Sequence, residues 1–104
     1  MEKLKYQVSY LVEEELKRAN KKFQPKFNSE HEAYSIIKEE VEEATEELEH
    51  VISNFNKMWW QIRYDNREQS LKYAILIKKH AILIAAESIQ VAAMCNKFID
   101  SFEK

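Results

Sequence analysis

The chain contains no glycine and a single proline, Pro25. Glycine is the residue that takes strained or left-handed backbone at little cost. Its absence excludes Walker A loops, dinucleotide fingerprints and nucleophile elbows, all of which need that geometry. A phosphate, if bound, has to be held by a metal or by side chains. No strand signals and no internal repeats interrupt the remaining pattern, which is helical throughout.

Leu4, Val8, Leu11, Val12, Leu16, Ala19 and Phe23 recur at spacings of three and four, which predicts an amphipathic helix over about 3–22. Pro25 ends it, because proline cannot continue a helix and pushes the residue before it toward extended backbone. Ser29 then reads as an N-cap, with Glu32 three residues on completing a capping box. A second stripe follows at Ala33, Ile37, Val41, Ala44, Leu48, Val51 and Phe55, a helix over about 30–53 with an extension to 64 left open. Asp65 and Asn66 mark a break, and either Asn66 with Gln69 or Asp65 with Glu68 caps a third helix over about 67–103. Between Ala81 and Cys95 that helix is polar only at Glu87, Ser88 and Gln90. It is apolar nearly all round, so it is expected to be surrounded by other helices. The expected fold class is an all-α antiparallel bundle of three to four helices in one domain, 1–104, completed by association with further copies.

With 104 residues, 45% of them hydrophobic, the chain is large enough for one core without disulfides. Its lone cysteine, Cys95, lies among Ala92, Ala93, Met94 and Phe98 and reads as a small buried hydrophobe in a reducing, cytoplasmic compartment. The first ten residues hold no continuous apolar run of the signal-peptide kind. Lys78, Lys79 and Glu87 break the apolar stretch of the third helix, so no membrane span is expected. Net charge is −2, unevenly spread: residues 1–28 carry seven Lys/Arg against four Glu, 29–53 one Lys against nine Glu, and 54–104 eight basic against five acidic residues. No basic stripe interleaved with aromatics appears, so a nucleic-acid partner is not expected.

Two carboxylate patterns stand out against this background. Seven glutamates fall within the eleven residues 39–49, and Glu87 is alone in AILIAAESIQVAAMC. Like charges at i,i+4 destabilise a helix by a few tenths of a kcal/mol, and a buried carboxylate needs compensation. Most charge runs are simply solvated faces, but that does not account for Glu87. Glu40 lies at the rim of the apolar stripe, Glu43 is its i,i+3 neighbour, and Glu39, Glu42 and Glu46 point to solvent. Glu87 and Gln90 form a second i,i+3 pair. Two such pairs on packed antiparallel helices converge four oxygen-bearing groups, the way bundles build carboxylate metal sites. Hard oxygen ligands of this kind suit Mg²⁺ or Mn²⁺.

The segments HEAYSIIKEEVEEATEEL and ESIQVAAMCNKFI resemble the MazG-like, all-α nucleoside triphosphate pyrophosphohydrolases, especially their short phage-associated members, over roughly residues 27–100. The family pattern is Glu-Glu-x-x-Glu on one helix and Glu-x-x-Asp on a later one. Glu39, Glu40 and Glu43 match the first half and Glu87 the start of the second. The resemblance implies that Glu40, Glu43 and Glu87 hold Mg²⁺, and that Glu39 serves as a catalytic base behind them. The implied reaction splits a nucleoside triphosphate between its α and β phosphates. Two departures stand against it: Gln90 replaces the family's Asp, and the gap between the half-motifs is longer than usual. Gln90 can still offer a carbonyl oxygen as a weakened fourth ligand, with one negative charge fewer.

Other candidates carry plainer alternatives. Trp59, Trp60, Tyr64 and Tyr73 could stack a nucleobase, Trp59 foremost, although packing in a core or subunit interface is the commoner role. Lys97, one helical repeat beyond Gln90, is the first choice for a phosphate partner, ahead of Arg63, Arg67, Lys78 and Lys79, with a solvated lysine as the plain alternative. Glu15 falls inside the first apolar stripe. His31, His50 and His80 lack zinc-site spacing. The rival to the enzyme is a binding or assembly protein that keeps the fold without turnover; a plain helical interaction module comes third.

Overall fold

The computed structural model describes residues 1–103 of the chain. Its regular elements are three helices, α1 (Glu2–Lys22), α2 (Glu30–Arg63) and α3 (Arg67–Phe102), and no strand occurs among the described residues. The periodicity located all three, and the extension left open after residue 53 is real: α2 runs unbroken to Arg63.

Local chemistry sets each boundary. Phe23 is already extended, at φ −124° and ψ 177°, two residues before Pro25. At the start of α2, Ser29 Oγ accepts the Glu32 amide at 3.1 Å. The Glu32 carboxylate reaches one residue further back than a standard capping box, taking the Asn28 amide and side-chain nitrogen, each at 3.1 Å. α2 ends in a Schellman arrangement: the Asn66 amide donates to the Gln61 carbonyl at 2.9 Å and the Asp65 amide to the Ile62 carbonyl at 3.0 Å. That motif requires left-handed backbone, and Asp65 supplies it at φ 54°, a conformation Asp tolerates better than most non-glycine residues. Asn66 Oδ1 then accepts the Gln69 amide at 3.2 Å, opening α3.

The helices run through two compact units, Met1–Val41 with the chain from Glu87 onward, and Glu42–Ala86. The first unit holds every buried residue described: Val12, Ala19, Phe27, Ala33, Ala93 and Lys97. Three of these six are alanines, which let helix backbones approach closely. The connection between α1 and α2 is tied to the end of α3, with the Phe27 amide donating to Ser101 Oγ at 2.9 Å and Lys26 Nζ donating to the Asp100 carbonyl. Pairings step backward along α3 as they step forward from the connection into α2, Phe27 with Ser101 and then Glu40 with Gln90, the register of an antiparallel pair.

In the second unit the late part of α2 lies beside the early part of α3. Glu47 Oε2 is 2.6 Å from His80 Nδ1, and the His50 and His80 rings stack at 4.6 Å. No residue of this unit is buried. Leu48, Ile52, Phe55, Trp59, Trp60, Leu71, Ile75 and Ile82 are all exposed, Ile75 to 68%. A pair of helices has one shared face, and apolar residues on any other side stay outside it.

Along α3 only Ala93 and Lys97 are buried, so the chain by itself does not surround it. Two expectations need correction on this point. The α2 stripe is covered at Ala33 but exposed at Val41, Leu48 and Phe55. Cys95 is exposed as well: it follows Ala93 by two residues, about 200° around the helix, and so faces away from the core. α3 also contains a stretch long and apolar enough to cross a membrane, with 11% of that stretch buried.

Candidate metal centre and the cavity beside it

Glu40 and Glu43 lie one turn apart on α2, and Glu87 and Gln90 one turn apart on α3. A helix places i and i+3 side chains on one face, and the antiparallel register brings the two turns together. One carboxylate oxygen from each of Glu40, Glu43 and Glu87 lies within 4.8 Å of the others. Glu40 and Glu87 are half-buried and Glu43 is exposed.

The donor set fits a hard divalent ion. Three carboxylates supply the hard oxygen donors that Mg²⁺ or Mn²⁺ takes. Gln90 faces the same carboxylates. With its amide nitrogen turned toward them, it donates to Glu40 Oε2 at 2.8 Å and Glu87 Oε2 at 3.2 Å. Offering its oxygen to a metal requires the opposite orientation.

Gln90 and Glu40 also line a cavity of about 450 Å³ lying wholly within the first unit. α1 contributes Glu15, Arg18 and Ala19, the connection Phe23 and Lys26 to Asn28, α2 Ile36, and α3 Met94 and Lys97. The plain alternative for Lys97, a solvated lysine, is set aside: it is only 6% exposed. Its ammonium sits 4.7 Å from the centre of the Phe27 ring. The sequence offered a signal for this wall, two phenylalanines bracketing Pro25 in KKFQPKFNS. Which side chains a connection presents is decided by how it packs, so neither could be assigned beforehand.

The other charges around the cavity have partners. The Arg18 guanidinium holds Glu15 with two bonds, at 2.9 and 2.5 Å. That hydrogen bonding, with the added attraction of the positive charge, keeps the Glu15 carboxyl below its ordinary range against a smaller opposing effect of partial burial. Glu32 is engaged at the α2 cap, and Lys26 at the end of α3.

The remaining candidates are not drawn into this centre. Glu39 is exposed, one residue and so about 100° around the helix from Glu40. Trp59 is 56% exposed and follows Glu43 by sixteen residues, about 24 Å of helix, which places it out of reach of the carboxylates in its own chain. Trp60 stacks on Tyr64 at 6.4 Å and lies beneath the Arg63 guanidinium at 4.9 Å. The contact of His50, His80 and Glu47 could not be anticipated from spacing, because it forms across two helices.

Comparison with protein-family models, with curated proteins and with solved structures gives no match.

Proposed function

We propose that this chain is a divalent-metal-dependent nucleoside triphosphate pyrophosphohydrolase that works as a homo-oligomer. The convergence of Glu40, Glu43 and Glu87 carries this reading, since three carboxylates on two helices match the donor chemistry of Mg²⁺ or Mn²⁺. The likeness of Glu39, Glu40, Glu43 and Glu87 to the MazG-like pattern supplies the reaction class. Glu40, Glu43 and Glu87 would hold the ion, which when bound polarises phosphate oxygens and lowers the pKa of water. Glu39, the base that the likeness implies, lies on the solvent side about 100° around α2 from Glu40; in that role it would accept the proton that water loses as its oxygen attacks the α-phosphorus. The bond from that phosphorus to the bridging oxygen breaks, releasing pyrophosphate and leaving a nucleoside monophosphate. Association of copies is supported by the uncovered apolar side chains of residues 42–86, a patch beyond what soluble monomers usually show.

A second reading is favoured by Gln90. Its amide nitrogen satisfies Glu40 and Glu87 together, which is how a carboxylate cluster is held without an ion, and a non-catalytic nucleotide-binding or assembly protein would use it so. A screen of common nucleoside triphosphates with Mg²⁺ and Mn²⁺ separates the two. The enzyme releases pyrophosphate, Gln90→Asp releases it faster, and Glu40→Gln or Glu43→Gln abolishes release in a folded protein. Absence of pyrophosphate from both the wild type and Gln90→Asp leaves the non-catalytic reading.

A further inference from the structure

The outward side of α3 in the second unit carries an apolar stripe flanked by cations. Leu71, Ile75 and Ile82 recur at spacings of four and seven, one face of a helix, and are exposed to 59%, 68% and 59%. The side turned to α2 is a different one: Tyr73, Leu76, Ile77 and His80 are half-buried, and His80 meets Glu47. At about 100° per residue, Lys72 and Lys79 fall about 40–60° to one side of Ile75, and Arg67 and Lys78 about 60–80° to the other. All four are exposed, and among the described residues none of them forms an ion pair. Glu68, at the start of the stripe, is the one acid from 67 to 86.

We propose that this side of α3 docks on an anionic lipid bilayer, lying flat in its surface. The stripe enters the boundary between headgroups and acyl chains, while the long lysine and arginine stems keep their charges level with the lipid phosphates. Charge complementarity selects this occupant. A second copy meeting the stripe across a two-fold axis would bring the same patch against itself, cations facing cations. The acidic run of α2 could match the charge, but its outward residues Glu39, Glu42, Glu46 and Glu49 offer no apolar cover for Leu71, Ile75 and Ile82. An anionic bilayer surface supplies both. The helix lies flat rather than spanning because its later half is engaged in the protein: Glu87 and Gln90 face Glu40, and Ala93 is buried in the first unit. The α2 stripe of Leu48, Ile52, Phe55 and Trp59 is left to the association of copies. Docking uses none of the carboxylate trio, so it stands or falls apart from the catalytic reading.

Co-sedimentation with vesicles of phosphatidylcholine, alone or mixed with phosphatidylglycerol, tests this. The chain should bind the anionic vesicles about tenfold or more tightly than the neutral ones, and should leave them as salt shortens the screening length. Each basic residue near an anionic surface is worth about fivefold in affinity, so Lys72→Gln, Lys78→Gln and Lys79→Gln together should weaken binding about a hundredfold. Leu71→Asn with Ile75→Asn should weaken it about tenfold at unchanged charge. All five substituted side chains are exposed, and a second measurement uses the wild type alone: a doxyl-labelled lipid should broaden the NMR signals of Leu71, Ile75 and Ile82 and spare those of Tyr73 and His80. Equal binding to neutral vesicles, indifference to the lysine substitutions, or no binding at all overturns the proposal. Retention through high salt and alkaline carbonate also overturns it, since that marks a spanning α3. So does loss of vesicle binding as copies associate at higher concentration, which gives the stripe to a second copy. Tighter binding to a DNA duplex than to vesicles, lost with the same lysines, gives it to nucleic acid instead.

Discussion

Glu87→Gln should stabilise the metal-free protein and abolish its response to divalent ions. With oxygens up to 4.8 Å apart, each ionised pair in the trio repels by about 0.9 kcal/mol at the permittivity of water, and by up to about 3.5 kcal/mol at an effective constant of 20. Glu43 is exposed and its neighbours only half-buried, so the lower figure governs and salt reduces it further. Neutralising Glu87 removes two of the three pairs, a gain of about 1–2 kcal/mol in EDTA at low ionic strength. Near-isosteric Gln keeps an oxygen available to the Gln90 amide, so little packing or hydrogen bonding is lost. For a chain of this size 1 kcal/mol corresponds to roughly 5 °C in Tm, and the variant should melt about 5–10 °C above the wild type. Binding to the folded state then reverses the order: at a hundredfold excess over Kd an ion adds about 2.7 kcal/mol, close to 13 °C, to the wild type alone. Circular-dichroism melts in EDTA and in millimolar Mg²⁺ or Mn²⁺ read both effects. Equal metal shifts in the two proteins, or a variant less stable than the wild type in EDTA, would refute the reasoning.

Three further outcomes follow from the same geometry. Ser29→Ala deletes the acceptor for the Glu32 amide and should cost about 1 kcal/mol in urea unfolding. Because Arg18 holds the folded Glu15 carboxyl below its unfolded value, the pair stabilises above the ordinary carboxylate range, and that contribution disappears as pH falls through the folded value. Carboxyl NMR titration should find Glu15 shifted upward in Arg18→Gln. Sedimentation without detergent at micromolar concentration should give a dimer or larger species, and Trp59→Glu with Ile75→Glu should weaken it; a discrete monomer would count against association, and insolubility without detergent would point instead to α3 in a bilayer.

The sequence by itself determined the helices, because everything that sets their bounds is local. Stripes of apolar residues at 3.6-residue spacing, Pro25, the Ser29 cap and the Asp65-Asn66 break act over a turn or two, and a chain without glycine offers few alternatives. The i,i+3 pairing of Glu40 with Glu43 and of Glu87 with Gln90 is local in the same sense. Tertiary structure alone decided that these two turns face each other, since the register between α2 and α3 is set by contacts between residues far apart in sequence, such as Phe27 with Ser101 and Glu40 with Gln90. It decided also that Lys97 is buried rather than solvated. A lysine three residues before an aspartate, as Lys97 is before Asp100, looks like any surface lysine until the connection folds back and lays Phe27 over it. The apolar circumference of α3 was plain in the sequence, but what covers it was not: hydrophobicity is non-directional, and it demands a partner without naming one.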